Sequence, residues 1–212
     1  IYHIQLPGVI LMIKKANNAK SDLKLVLASS SPRREEILEQ LNLKFTIVPS
    51  KIDEDNFKSS DPVELVKLLA EEKAKSVSKL VEDAIIIAAD TVVVHNDQIL
   101  GKPSGKLDAK KMLKKLSSDQ HQVITGVAVL NSSSGESHVD HNITEVKMTA
   151  LSEQEINSYV ETGEPLDKAG SYAIQGFGGL FVEEIRGSYY SVMGLPIHQL
   201  AKLLDKFNYG IL

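Results

Sequence analysis

The chain has 212 residues, of which 42% are hydrophobic and 25% are charged, and its formal net charge at pH 7 is −4. These proportions are typical of a globular protein and argue against extensive disorder or a fibrous structure. The negative net charge provides no overall attraction to nucleic acid, and the lack of cysteine excludes disulfides, thiolate metal sites and cysteine nucleophiles while fitting a reducing compartment.

Residues 1–23 are predicted to be an N-terminal extension. The apolar stretch over 1–13 is too short to span a bilayer, and Lys14 and Lys15 follow it, whereas the basic residues of a signal peptide come first. We interpret the residues ahead of Met12 as upstream sequence that is partly non-native. Residues 24–212 are predicted to form a single domain.

The junction after the first predicted strand has the features of an anion site. Residues 25–28 are an apolar run of strand length, and Ser31 followed by Pro32 predicts a helix that continues to about residue 41. The free N–H groups at this helix start favour an anion, and Arg33 and Arg34 add guanidinium groups that bind phosphate oxygens in pairs. The alternative is an ordinary helix start with two solvated arginines.

The remaining elements alternate between strands and helices, with hairpins in between. Strands are predicted over 45–48, 84–94, 99–100, 122–130, 136–148 and 180–185, and helices over 62–80, 107–116, from 153 onward and over 196–207. Residues 167–179 are predicted to be a loop around a short strand. This order predicts an α/β fold with a mixed, twisted central sheet flanked by helices.

Asp90 is the most unusual single residue, because it interrupts a nearly continuous apolar run over 84–94. A carboxylate in such a strand needs a cation, a metal ion or a hydrogen-bond donor to offset its desolvation. We favour a functional carboxylate over one that merely caps the strand end. The sequence leaves open whether Asp90 acts mainly as a base or as a metal ligand, since both roles use the same oxygens.

Three other charged residues are candidates for the same site. Asp53 lies in an acidic segment, and its hard oxygen ligands suit Mg²⁺ or Mn²⁺ held between Asp53 and Asp90 with substrate phosphates. Lys102 lies between a glycine and a proline in a tight loop, and Lys73 lies on a predicted helix. Each of the three also has an ordinary interpretation as a solvated surface residue. The sequence lacks the usual signatures of P-loop enzymes, zincins and α/β-hydrolases.

A series of short segments, taken in order, resembles the Maf family of nucleoside triphosphate pyrophosphatases. They are residues 29–34 (SSSPRR), 52–54 (IDE), 72–74 (EKA), 89–92 (ADTV), 101–103 (GKP), 167–172 (DKAGSY), 174–176 (IQG) and 187–196 (GSYYSVMGLP). The resemblance extends from about residue 25 to residue 207. It implies a Maf/ITPase-like fold with two lobes around an active-site cleft.

The resemblance also implies a cytoplasmic hydrolase that cleaves nucleoside triphosphates between the α- and β-phosphates with Mg²⁺ or Mn²⁺. It makes Asp90 the proton acceptor, places Lys73 and Lys102 among the catalytic residues, and places Asp53 in the catalytic pocket as a metal ligand. The implied substrate-binding residues are Ser29, Arg33, Arg34, Thr91 and Gln175, of which Arg33, Thr91 and Gln175 are associated with substrate choice. Residues 167–176 resemble the branch that acts on dTTP and UTP.

Gln175 is expected to pair its amide with the N3–H and a carbonyl of uracil or thymine, or alternatively to tie down its own loop. For the whole chain, the alternatives are a non-catalytic nucleotide-binding regulator of septation and a 7-methyl-GTP pyrophosphatase of the same family. The expected partner is the nucleoside triphosphate, with a homodimer as a further option, and neither nucleic acid nor a membrane is expected.

Overall fold

A seven-stranded mixed sheet forms the centre of the computed structural model, which describes residues 23–212. The strands are β1 (Lys24–Leu27), β2 (Phe45–Ile47), β3 (Ala84–His95), β4 (Gln98–Leu100), β5 (Gln120–Asn131), β6 (Ser137–Met148) and β7 (Val182–Arg186). The helices are α1 (Pro32–Gln40), α2 (Pro62–Ser78), α3 (Lys106–Leu116), α4 (Glu153–Glu161), α5 (Tyr189–Met193) and α6 (Ile197–Asp205). Four short 3-10 helices cover Glu54–Asn56, Glu164–Asp167, Ala169–Ser171 and Phe177–Phe181.

The strand order is β2-β1-β3-β5-β6-β7, and β4 pairs with the end of β3. β1 is parallel to both β2 and β3, whereas the pairs among β3, β4, β5, β6 and β7 are antiparallel. This arrangement confirms the predicted mixed α/β fold. The long β3 is central because its apolar residues are buried on both faces of the sheet.

Helix α2 covers one face of the sheet. Asp61 accepts a hydrogen bond from Val63 N at 2.8 Å and caps the helix start, where Pro62 occupies the first position. Buried α2 side chains recur at helical spacing. Two of them, Ala70 and Ala74, belong to the same buried hydrophobic cluster as Ile86 of β3. The other helices contribute to the larger core on the opposite face.

The contact between α2 and the sheet depends on Gly126 of β5. A Cβ atom at this position would lie 2.4 Å from the carbonyl oxygen of Val66 in α2, which is closer than van der Waals contact allows. Gly126 pairs directly with Asp90 of β3. The missing side chain therefore allows α2 to pass close over the strand pair that contains the candidate catalytic carboxylate.

Two stretches differ from the sequence predictions. The short strand predicted within residues 167–179 is wrong, because Gly170 (φ 68°) and Ser171 (φ 61°) turn the backbone left-handed and the segment forms separate 3-10 turns with irregular backbone between them. The strand predicted from residue 180 begins at Val182, since Leu180 and Phe181 complete the last of these turns. In addition, the sequence does not predict α5, which Ser188 caps by accepting a hydrogen bond from Ser191 N.

The predicted N-terminal extension, with the interpretation of the residues ahead of Met12, lies outside the described residues except for Leu23. The single domain predicted over 24–212 stays a prediction. Within residues 23–212, no helix is both long enough and apolar enough to cross a lipid bilayer.

Candidate functional site

The site lies at a gap along one edge of β3. β1 pairs with β3 only as far as Ile87, and β4 begins to pair with the same edge at Val93. Among the described strands, none pairs with residues 88–92 on that edge, while β5 covers the opposite edge throughout. A cavity of about 800 Å³ opens at this gap, a volume typical of small-molecule sites. Its position beyond the carboxyl end of β1 matches the usual ligand position in α/β sheets.

The gap gives the cavity access to both faces of the sheet. Side chains alternate along a strand, so Asp90 lies on the α2 face and Thr91 lies on the face of α1. Both residues line the cavity, together with Arg33, Arg34 and Lys73. The structure therefore brings together side chains that come from β3 and from helices on either side of it.

Arg34 is fixed by three hydrogen bonds within the protein. Its Nε donates to the carbonyl oxygen of Gly194 at 2.7 Å, its Nη1 to Ser29 Oγ at 3.2 Å and its Nη2 to Thr91 Oγ1 at 3.3 Å. Burial lowers the pKa of Arg34, and the negative charge of Asp90 opposes this effect. Ser29 Oγ also accepts from Ser31 N at 3.2 Å, whereas the side chain of Ser31 does not cap α1.

Arg33 differs from its neighbour in having an unused donor. Its Nε is buried and has no hydrogen-bond partner among the described residues. Burial lowers the pKa of Arg33, while the carboxylates of Asp167 and Glu36 act to raise it. An unpaired buried donor costs free energy, so Arg33 is the arginine that has most to gain from a bound anion.

A triad of charges lies on the α2 face of the cavity. Lys73 Nζ lies 2.6 Å from Asp90 Oδ1 and 2.7 Å from Glu54 Oε1. Asp90 is 7% exposed and Lys73 is 8% exposed, whereas Glu54 reaches in from an exposed 3-10 turn. Among the described residues, only Lys73 forms a hydrogen bond with the Asp90 carboxylate, and it does so through Oδ1.

The environment shifts the pKa values of the two carboxylates in opposite directions. Burial raises the pKa of Asp90, although the charges of Lys73 and Arg34 oppose it. Burial also acts to raise the pKa of Glu54, but the hydrogen bond and charge of Lys73, with Lys102 and Arg34, outweigh it and lower that pKa. Opposite shifts in neighbouring carboxylates separate a proton acceptor from a group that stays ionised.

Asp53 does not take the position predicted for it. Its carboxylate accepts hydrogen bonds from Asp55 N at 3.3 Å and Asn56 Nδ2 at 3.1 Å, which caps the 3-10 turn. Asp53 is exposed and does not line the cavity, whereas Glu54 does. In this structure the turn directs Glu54, and not Asp53, into the cavity. The metal site predicted at Asp53 and Asp90 stays a prediction.

The other candidates lie around the cavity. Lys102 is an exposed residue in the loop after β4, and its charge reaches Glu54. Gln175 is exposed and lines the cavity next to Ile174 and Gly176. Glu164 also lines the cavity, but it was not predicted from the sequence. Its carboxylate accepts hydrogen bonds from Phe177 N and Gly178 N, which are more than ten residues away, and no local motif marks this contact.

Comparison with known proteins agrees with the resemblance in the motifs. Residues 24–207 match the family model described as "Maf-like protein". A dTTP/UTP pyrophosphatase of Alkaliphilus metalliredigens (strain QYMF) is 50% identical over 184 residues, which cover 86% of this chain and 95% of that protein. A dTTP/UTP pyrophosphatase of Clostridioides difficile (strain 630) is 48% identical over 185 residues, which cover 87% and 95%.

Among solved structures, a HAM1 protein from Coxiella burnetii superposes with a TM-score of 0.48 and 17% identity, covering 87% of this chain and 99% of that one. Membership of a family follows from the family model, which spans most of the chain, and from relatives that are about 50% identical in sequence. On these grounds, the chain belongs to the Maf family.

Proposed function

We propose that this protein hydrolyses dTTP and UTP between the α- and β-phosphates and releases the nucleoside monophosphate and pyrophosphate. The observation that carries the proposal is the buried ion pair of Asp90 and Lys73, 2.6 Å apart, in the wall of a cavity that Arg33 and Lys102 also line. This arrangement combines a proton acceptor with cations. The two relatives named dTTP/UTP pyrophosphatase support the choice of substrate.

In the proposed reaction, Asp90 accepts a proton from the attacking water. The water oxygen forms a bond to the α-phosphorus as the bond from that phosphorus to the bridging oxygen breaks, and pyrophosphate leaves with the electron pair. Burial raises the pKa of Asp90, which makes its carboxylate a stronger base than an exposed one. Lys73 occupies Oδ1, so Oδ2 is the oxygen available for the proton.

The cations around the cavity stabilise the leaving group. Negative charge increases on the pyrophosphate as the bond breaks, and fixed positive groups lower the free energy of that state more than that of the bound substrate. Lys102 and Arg33 have this role in our proposal, because both line the cavity and Arg33 Nε has no hydrogen-bond partner among residues 23–212. Arg34 and Ser29 shape the start of α1 beside them.

The carboxylates also fit a divalent cation, which we propose to be Mg²⁺ or Mn²⁺. Asp90 and Glu54 both approach the Lys73 ammonium within 2.7 Å, so they converge on a region that already accommodates a positive charge. Mg²⁺ in proteins commonly takes one or two carboxylates and completes its shell with water and phosphate oxygens. When bound, the ion supplies neutralisation of phosphate charge and activation of water.

Recognition of the base is assigned to Gln175. Its amide has the donor and acceptor that the N3–H and a carbonyl of uracil or thymine require, whereas the N3 of cytosine accepts a hydrogen bond. A mismatch at this edge leaves polar groups of the base and of Gln175 unpaired where they come into contact. We further propose that the protein acts in the cytoplasm on free nucleotides, without nucleic acid or membrane as a partner; the homodimer stays a prediction.

A panel of triphosphates tests the proposal. The purified protein is incubated with UTP, dTTP, CTP and 7-methyl-GTP in Mg²⁺, and pyrophosphate and orthophosphate are measured separately. We expect pyrophosphate from UTP and dTTP well ahead of CTP, with little orthophosphate. Release of orthophosphate would contradict cleavage at the α–β bond, and a preference for 7-methyl-GTP would contradict the substrate. Binding without turnover would favour a regulator of septation instead.

A further inference from the structure

The loop that carries Gln175 is tied down on both sides by one pair of side chains. Before Gln175, the amide of Ala173 donates to the hydroxyl oxygen of Tyr159 at 3.1 Å. After Gln175, the amide of Phe177 donates to Glu164 Oε2 at 3.0 Å, and that of Gly178 donates to Oε1 at 3.0 Å.

The two anchoring side chains also contact each other. The Tyr159 hydroxyl donates to Glu164 Oε1 at 2.8 Å, so the carboxylate accepts three hydrogen bonds in all. Burial and the neighbouring Glu164 raise the pKa of Tyr159, which keeps the phenol protonated as a donor. Tyr159 is 3% exposed, and its ring packs edge-on against that of Phe181, with 5.1 Å between the ring centroids.

The backbone of the loop lies so close to these groups that only glycine fits at two positions. A Cβ atom on Gly176 would lie 2.2 Å from Glu164 Oε2. A Cβ atom on Gly178 would lie 2.7 Å from the Tyr159 hydroxyl. The glycines therefore allow the loop to approach the anchors directly, and Gln175 lies between the two attachment points.

We propose that Glu164 and Tyr159 are positioning residues that set the backbone of Gln175 and thereby the selection of uracil or thymine over cytosine. This inference rests on the proposed function of Gln175. A single amide discriminates between bases only if its position is fixed, since a mobile side chain can rearrange to suit either edge. The oxygens of Glu164 are occupied by the loop, so its effect on the substrate is exerted through Gln175.

Two substitutions weaken this anchor with little change of shape. Glu164→Gln replaces one acceptor oxygen by an NH₂ group, which cannot accept from the facing amide of Phe177 or Gly178. Tyr159→Phe keeps the packing on Phe181 and removes only the hydroxyl. Glu161→Gln is the matched control, because Glu161 is the last residue of α4, the helix that carries Tyr159. It is exposed and, among the described residues, its carboxylate pairs only with Lys106, at 2.6 Å.

The experiment measures two quantities in the wild type and in each variant. The first is hydrogen exchange at the amides of Ala173, Phe177 and Gly178, which reports on the anchor without any substrate. The second is kcat and KM for UTP and for CTP. In Glu164→Gln and Tyr159→Phe we expect faster exchange at the amides that lose their acceptor. We also expect the UTP-over-CTP ratio of kcat/KM to fall by about tenfold, because KM for UTP rises, while kcat for UTP stays within about twofold of wild type.

We expect the control variant Glu161→Gln to match the wild type both in amide exchange and in the UTP-over-CTP ratio of kcat/KM. Faster exchange with an unchanged UTP-over-CTP ratio would overturn the inference, and so would an equal loss for both nucleotides, because either result indicates a merely structural role. If Glu164→Gln does not fold, Tyr159→Phe decides by the same criteria. A wild type that cleaves UTP and CTP equally would overturn the proposed substrate first, and this inference with it.

Discussion

Thr91 Oγ1 lies 3.0 Å from Thr125 Oγ1 across β3 and β5, and the surroundings fix the direction of this hydrogen bond. Thr125 donates its one hydroxyl hydrogen to the carbonyl oxygen of Ser191 at 2.8 Å. Thr91 must therefore donate to Thr125, while its own oxygen accepts from Arg34 Nη2 at 3.3 Å. Thr91 consequently offers a ligand an acceptor and no donor.

The chain of hydrogen bonds from Thr91 to Thr125 and on to Ser191 predicts that Thr125→Val impairs substrate binding, although Thr125 is 0% exposed. Valine keeps the shape but leaves the hydroxyl of Thr91 without its acceptor, so Thr91 reorients and no longer holds Arg34. We expect kcat/KM for UTP to fall by about tenfold, mainly through KM, the scale of one lost hydrogen bond. Thr125→Ser should restore it. Steady-state kinetics check this, and identical KM values in the valine and serine variants would contradict the role assigned to the Thr125 hydroxyl.

Asp90→Asn is expected to reduce turnover by at least about a hundredfold, because an amide cannot accept the proton of the attacking water. The amide has nearly the same shape, so the fold should persist, with Lys73 still paired to Glu54. Pyrophosphate release measures turnover, and circular dichroism measures folding. A folded variant with near-wild-type turnover would show that Asp90 is not the proton acceptor.

Glu54→Gln and Asp53→Asn separate the two neighbouring carboxylates. We expect Glu54→Gln to raise the Mg²⁺ concentration for half-maximal activity by about tenfold or more, the scale found even for residues that only support metal ligands. Asp53→Asn should leave it unchanged, because Asp53 does not line the cavity and asparagine retains one oxygen that can accept from Asp55 N and cap the turn. Titrations with Mg²⁺ at saturating UTP measure this concentration in both variants. A larger increase in Asp53→Asn than in Glu54→Gln would indicate that Asp53 is the metal ligand.

The contrast between Asp53 and Glu54 illustrates what the sequence could and could not predict. The bounds of β3 and α2 were predicted to within two residues, because long apolar runs and helical spacing determine them locally. The choice between adjacent carboxylates depends instead on one 3-10 turn, which carries no clear periodicity. Thr125 gave no signal either, because a threonine in a strand is common and its partner Ser191 is 66 residues away.

His121 predicts a pH dependence of stability. It is 2% exposed, its Nε2 lies 2.8 Å from the Tyr172 hydroxyl oxygen, and burial lowers its pKa to about 4 from 6.5. Between these values the unfolded chain binds the proton and the folded protein does not, so the free energy of unfolding falls as the pH drops from 6.5 towards 4, by up to about 3 kcal/mol. Above pH 6.5 this contribution to the slope vanishes.

Denaturant unfolding of the wild type and His121→Gln at pH 4.5, 5.5 and 7 tests this dependence. Glutamine does not titrate, so the difference in unfolding free energy between the two proteins should change across the series, with the wild type losing more at low pH. A difference that stays constant from pH 4.5 to pH 7 would show that the imidazole is not held neutral by burial.

Gly126→Ala is expected to disturb both stability and catalysis. The added methyl group would lie 2.4 Å from the backbone of Val66, so α2 must move away from the sheet, at a cost of about 1 to 3 kcal/mol. Lys73 lies about two turns further along α2, and its bond to Asp90 would lengthen, which lowers kcat. Gly105→Ala is the control, because no other part of the described chain lies within 4 Å of its Cβ position. Equal stability and kcat in the two variants would contradict the close contact.

The gap at residues 88–92 also bears on aggregation. An open strand edge is a template on which another chain can add a strand, and here β1 and β4 close it at both ends. β4 depends on the turn at Asn96 and Asp97, whose φ values of 48° and 60° favour the asparagine and aspartate found there. Substitution of both by β-branched residues would release β4 and lengthen the open edge. The same edge that admits a nucleotide would then expose the protein to self-association through its sheet.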